Sequence, residues 1–150
     1  MHRAPVFLFA PLLLAAGGCS GCSDKAAAPS PGAGIALPVL PDRNPAQDVV
    51  EVAIDAQPAS VALAGGPKMD LMSYGGRVPG GLVRARRGDT LVVHFTNSLP
   101  EPTTLHWHGL RAPADIAGSA AAQAPVAAGA KRDVTFTLTE AGLHWLHPLS

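Results

Sequence analysis

Thr90-Leu91-Val92-Val93-His94-Phe95-Thr96-Asn97 decides the fold class. Leu91, Val93 and Phe95 alternate with Val92, His94 and Thr96. Side chains along a strand point to opposite faces in turn, so the first three share one face and the second three the other. A helix would need apolar positions three and four apart, and these are two apart. The stretch therefore reads as a half-buried strand. Arg87-Gly88-Asp89 makes a tight turn ahead of it. Ser98-Leu99-Pro100-Glu101-Pro102 follows as a loop, because two prolines exclude a central strand.

The same alternation recurs outward in both directions. Val50, Val52 and Ile54 alternate with Glu51, Ala53 and Asp55, and Val134, Phe136 and Leu138 with Thr135, Thr137 and Thr139. Val61-Ala62-Leu63 continues or pairs with the first of these, and Gly65-Gly66-Pro67 turns the chain. Residues 69–74, 82–86, 103–108 and 143–147 are further candidate strands. Residues 111–129 are alanine-rich and without pattern, and read as a surface connection. Long loops of this kind in compact domains often sit at sites. No stretch after Asp48 has helical periodicity. Short strands between Gly/Pro turns predict an all-β sandwich or barrel, and 150 residues leave room for one such domain.

The N-terminal third differs in texture. Met1-His2-Arg3 is weakly basic, Val6 to Leu14 is apolar apart from Pro11, and Leu14-Ala15-Ala16-Gly17-Gly18-Cys19 follows. This is the pattern of a secretory signal over residues 1–18, far short of the ~20 apolar residues of a spanning helix. A cysteine after small residues resembles a bacterial lipobox. Cys19 is then the lipidated first residue of the mature protein, although Ala16 stands where leucine is usual. Residues 19–47 are rich in Ala, Pro, Gly and Ser and read as a disordered linker, because they cannot bury enough surface to offset their ordering entropy. The folded domain is expected over residues 48–150. The expected location is periplasmic or at the cell surface, with a lipid anchor in a bacterial membrane.

Charge and cysteine content narrow the chemistry. Eleven basic and eleven acidic residues cancel, which gives no support for nucleic acid as a partner. The only cysteines are Cys19 and Cys22, so the folded part has no disulfide and no thiolate for a metal. Cysteine-based zinc sites and a blue-copper site are thereby excluded within this chain. No Gly-x-Ser-x-Gly elbow and no paired carboxylates support hydrolase chemistry.

Six histidines remain to be placed. His2 belongs to the signal. His94 reads as a partly exposed strand residue with nothing at short spacing to make it a ligand. His106 and His108 flank Trp107, so on a strand they share a face. Backbone carbonyls in a polar cleft would also satisfy such a pair. His147, on a second aromatic-containing strand, favours a metal site, and imidazoles gathered from two strands suit copper or zinc. No carboxylate sits at matching spacing, which disfavours calcium and magnesium. His144 falls three residues before His147 and hence on the opposite face.

Pro102-Thr103-Thr104-Leu105-His106-Trp107-His108-Gly109 resembles the first copper-binding segment of the multicopper oxidases, the family of laccases and cuproxidases. Tyr74-Gly75-Gly76-Arg77-Val78-Pro79-Gly80 resembles the family's Asn-Gly-x-x-Pro-Gly-Pro turn, and Arg87-Gly88-Asp89-Thr90 its Gly-Asp strand opening. Ala141-Gly142-Leu143-His144-Trp145-Leu146-His147-Pro148 resembles the second copper segment, which normally runs Gly-Thr-x-Trp-x-His-x-His. The resemblance covers residues 48–149. It implies a cupredoxin-like Greek-key β-sandwich, the first domain of such an oxidase, with copper as cofactor. Carried over residue by residue, His106 would bind the type 2 copper, His108 and His147 would bind the type 3 pair, and Trp107 and Trp145 would pack around them.

The departures carry as much weight. Leu149 stands where the resemblance requires a further histidine, and leucine has no donor atom. Nothing in residues 48–150 supplies the cysteine-containing copper through which electrons enter in this family. The expected function is therefore a copper-binding oxidase domain that does not turn over alone, with the remaining cupredoxin domains as partners. The competing expectation is a surface-tethered module that holds copper without turnover.

Overall fold

A computed structural model describes residues 37–63, 65–119 and 121–149. The expected signal, Cys19 and residues 19–36 of the expected linker lie outside the described residues. Every regular element among the described residues is a strand. They are β1 (Val49–Ala62), β2 (Lys68–Tyr74), β3 (Thr90–Asn97), β4 (His106–His108), β5 (Lys131–Thr137) and β6 (Trp145–His147).

Four of them form a sheet in the order β2-β1-β3-β5. The first strand serves two partners in succession. Its N-terminal half runs parallel to β3, from Val49 opposite Thr90 to Ala56 opposite Asn97. Its C-terminal half pairs antiparallel with β2, from Ala56 opposite Tyr74 to Ala62 opposite Lys68. Pro58 lies in the half where only β2 is beside it, so its missing N–H interrupts no second ladder. Strand β5 closes the other side, antiparallel to β3, with Val93 opposite Val134.

The alternation read from the sequence is the packing. Val50, Val52, Ile54 and Ala56 of β1 are buried, as are Leu91, Val93 and Phe95 of β3 and Val134 and Phe136 of β5. They form one core with Leu99, Leu105, Trp107, Val126 and Leu138. Burying a side chain as large as Phe95 or Val93 contributes roughly 1.5–3 kcal/mol, so the sheet's inner face is the main source of stability.

Strands β4 and β6 make a separate two-stranded antiparallel sheet. Two strands of three residues each are marginal by themselves. Trp107 ties this small sheet to the large one. It is buried, its ring centroid lies 5.2 Å from that of Phe136 on β5, and its Nε1–H donates to the Ile116 carbonyl at 3.1 Å.

Two expectations need correction. Residues 82–86 are not a strand, and Leu82 makes only an isolated parallel bridge with Val39. The apolar alternation there is real, but the backbone of Leu82 bonds to Pro38 and Leu40, and no longer ladder lies alongside. The packed domain also takes in residues before Asp48. Leu40 N–H donates to Leu82 O, Arg43 N–H to Glu51 O, and Asp42 Oδ1 accepts from the amides of Asn44 and Glu51. Composition alone hid this segment, because its ordering comes from hydrogen bonds to distant backbone and not from its own periodicity.

Candidate metal centre

The register of the small sheet brings the histidines together. His106 lies opposite His147, and His108 opposite Trp145. With Trp107 committed to the core, strand alternation sends His106 and His108 to the outer face. Their ring centroids are 6.2 Å apart, and His147 sits 5.3 Å from His106 and 6.0 Å from His108. One ring nitrogen from each of the three lies within 4.8 Å of the others. No second group of three or more His, Cys, Asp or Glu meets that condition among the described residues. His106 and His147 are half-buried and His108 is exposed.

Ring orientation is set by carbonyls. His106 Nδ1 lies 2.6 Å from Ala117 O, and His147 Nδ1 lies 2.8 Å from Pro148 O. A carbonyl only accepts, so each Nδ1 carries the proton and each Nε2 is left with a lone pair. That is the state a metal requires of imidazole, and a carbonyl on the other nitrogen is the usual way to fix it. Trp145 covers the group from one side, with its ring 4.6 Å from His147 and 5.0 Å from His108.

The unpatterned loop of residues 111–129 turns out to belong to the site. It supplies Ala117 O to His106 and Ile116 O to Trp107. Gly118 lets it come this close: at φ +79° it passes so near that a Cβ there would meet Leu105 O at 2.3 Å. Asn97 holds the far end of the loop. It is fully buried, and its Nδ2 donates to the carbonyls of Glu101 and Val126 at 2.9 Å and of Ala127 at 3.1 Å. Sequence reasoning missed Ala117, Gly118 and Asn97 as parts of the site. A glycine and an alanine in a featureless loop carry no motif, and Asn97 ends its strand without one.

His144 does not join the group. Its ring packs against Gly109, where a Cβ would come within 3.0 Å of Nδ1, and its Nε2 is buried without a hydrogen-bond partner. His94 is far from the site, between Glu51 and Asp133. Beside His147, a cavity of about 470 Å³ is lined by Met72, Tyr74, Val78, Thr104, Leu146 and Leu149. Burial there pushes the Tyr74 phenol well above its ordinary pKa, and its hydroxyl donates to Thr104 O at 3.2 Å.

Comparison with known proteins gives the family. The sequence pattern of the multicopper oxidase family matches residues 55–150. The chain belongs to the multicopper oxidase family. It is 38% identical over 99 residues to the multicopper oxidase MmcO of Mycobacterium tuberculosis, covering 66% of this chain and 19% of that one. Among solved structures, a Campylobacter jejuni multicopper oxidase described as a metallo-oxidase superposes with a TM-score of 0.68 at 32% identity, over 75% of this chain and 24% of that one. A Pseudomonas thermotolerans multi-copper oxidase gives 0.64 at 38% identity, over 69% and 25%. The fold is thus the cupredoxin-like sandwich the sequence predicts, and the chain spans about a fifth to a quarter of these relatives.

Members of the family use copper, and the residues present suit it. Three imidazoles, with Nε2 free on His106 and His147, and no carboxylate among them form a nitrogen-only donor set, the kind that imidazole-binding transition metals prefer.

Proposed function

We propose that this chain is the copper-holding first cupredoxin domain of a multicopper oxidase, with His106, His108 and His147 as ligands. The observation that carries this is the convergence of three ring nitrogens within 4.8 Å on one sheet face. Copper bound there would supply one-electron redox chemistry. The protein's own part is to bind and orient. Ala117 O and Pro148 O hold the protons of His106 and His147 on Nδ1, and the Trp145 ring packs against His108 and His147.

Turnover needs more than this domain. With cysteine only at positions 19 and 22, residues 48–150 have no ligand for an electron-entry copper, and Leu149 offers no donor beside His147. Partner cupredoxin domains are therefore part of the proposal. The apolar run before Cys19 supports an exported, lipid-anchored domain outside the cytoplasm. A second reading, a tethered module that holds copper without turnover, draws on the same three nitrogens, which suffice for one ion.

Copper titration of the full chain, followed by tryptophan emission, tests the assignment. One equivalent is expected to bind, and the double variant His106→Ala with His108→Ala to lose affinity at least about tenfold. An unchanged affinity in that variant would sink the site.

A further inference from the structure

The three histidines sit on a sheet too small to be held by its own ladder, so something else must fix β6 against β4. His106 pairs with His147, so two residues outward on each strand Thr104 falls opposite Leu149. The two residues meet there through a side chain. Thr104 Oγ1 accepts from Leu149 N–H at 2.7 Å and donates to Leu149 O at 2.9 Å. One hydroxyl thus satisfies both backbone groups of the residue opposite, where the ladder itself has stopped. Thr104 is buried at 3% exposure, so water competes poorly for these bonds. Its own carbonyl receives the Tyr74 hydroxyl from β2, which anchors the clasp to the large sheet. Leu149 itself is 40% exposed and contributes little packing to hold the strand in place.

We propose that Thr104 is a positioning residue of the histidine site. Its hydroxyl clasps the chain at position 149 and so keeps His147 opposite His106. The inference deepens the copper reading, because its consequence for the metal rests on that reading, while the clasp itself does not. Valine has nearly the volume of threonine and lacks the hydroxyl, so Thr104→Val removes the clasp with little change in packing. Thr104→Ser keeps it.

Amide hydrogen exchange on the copper-free full chain tests the clasp. Thr104→Val is expected to speed exchange at Leu149 and His147 by about tenfold, through the loss of both hydroxyl bonds to Leu149, with core amides of β3 unchanged. Thr104→Ser is expected to stay near the wild-type rates. Paramagnetic resonance of the Cu(II)-loaded chain tests the consequence. Three coordinated nitrogens are expected in the wild type and in Thr104→Ser, and two in Thr104→Val. Loss of stability alone would leave that count at three in the molecules that remain loaded. Wild-type exchange rates in Thr104→Val overturn the clasp. Three nitrogens in Thr104→Val, with exchange raised, overturn its positioning role. A wild type that binds no copper overturns the copper reading and leaves the exchange result to judge the clasp.

Discussion

Asn97 shows how much of the site depends on single polar atoms far from any histidine. It is fully buried, and its amide serves three carbonyls while its Oδ1 accepts from Leu99 N–H at 3.1 Å. These bonds tie the loop before β4 to the loop before β5. Val126 O and Ala127 O have second partners in Thr103 N–H and Ala130 N–H, so their losses are cushioned. The others are left with less. An unpaired buried group costs about 1–3 kcal/mol, and two, Glu101 O and Leu99 N–H, lose their partner at once, so Asn97→Ala is expected to destabilise the chain by about 2–4 kcal/mol. Urea unfolding measures it, and a change below about 1 kcal/mol would show that the amide bonds are not structural. Neighbouring residues and chain ladders remain in that variant, so the histidine segment loosens before the sheet does.

On the outer face of the large sheet, three strands are joined by one imidazole. His94 on β3 places Nδ1 2.8 Å from Asp133 Oδ1 on β5 and Nε2 2.9 Å from Glu51 Oε1 on β1. Only the imidazolium donates from both nitrogens, so the arrangement favours the charged form. Asp133 first and Glu51 second raise the His94 pKa above its ordinary 6.5. His94 and then Asn44 lower the Glu51 pKa below its ordinary 4.5. The signs give two limbs. A raised histidine pKa adds stability that is full below pH 6.5 and is lost as pH rises through the folded-state value. A lowered carboxylate pKa adds stability that is full above pH 4.5 and is lost as pH falls. Urea midpoints are therefore expected to fall as pH rises above 6.5 in the wild type, and to fall less in His94→Gln. Equal slopes in the two would remove His94 from the account. This contact also marks the limit of what the sequence reveals. The alternation of β1, β3 and β5 is legible because period two is local, and His106-Trp107-His108 is legible for the same reason. His94 reads as an isolated strand residue because its partners lie 43 and 39 positions away. His147 favours a metal site from its place on a second aromatic-containing strand and takes a specific role only through the family resemblance, while the supports at Ala117 and Thr104 depend on contacts that no spacing announces. Residues 82–86 show the converse, a strand pattern with no strand to pair with.

At the scale of the molecule, the histidine face is unusually apolar for a surface. Leu143 is 93% exposed, Trp145 60% and Leu149 40%, all on or beside β6. Grouped exposed apolar side chains mark surfaces that partners cover. The chain matches 24% of the Campylobacter jejuni oxidase, so most of such a molecule has no counterpart in these residues, and the proposed domain partners would supply it. Leu149 then becomes the decisive position. By register it lies two residues beyond His147, on the parity that His147 shares, and its backbone is held there by Thr104. A chimera follows from this. Residues 55–149 would replace the matching segment of the Campylobacter jejuni oxidase, with Leu149 retained in one version and changed to histidine in the other. The isolated chain with copper is expected to show no steady oxygen uptake with a phenolic donor. The chimera retaining Leu149 is expected to take up oxygen at least about tenfold more slowly than the chimera with Leu149→His, since losing a direct ligand costs no less than losing a residue that merely orients one. Equal rates in the two chimeras would mean that position 149 is not a donor position in this domain. Steady uptake by the isolated chain would mean that the domain needs no partner at all.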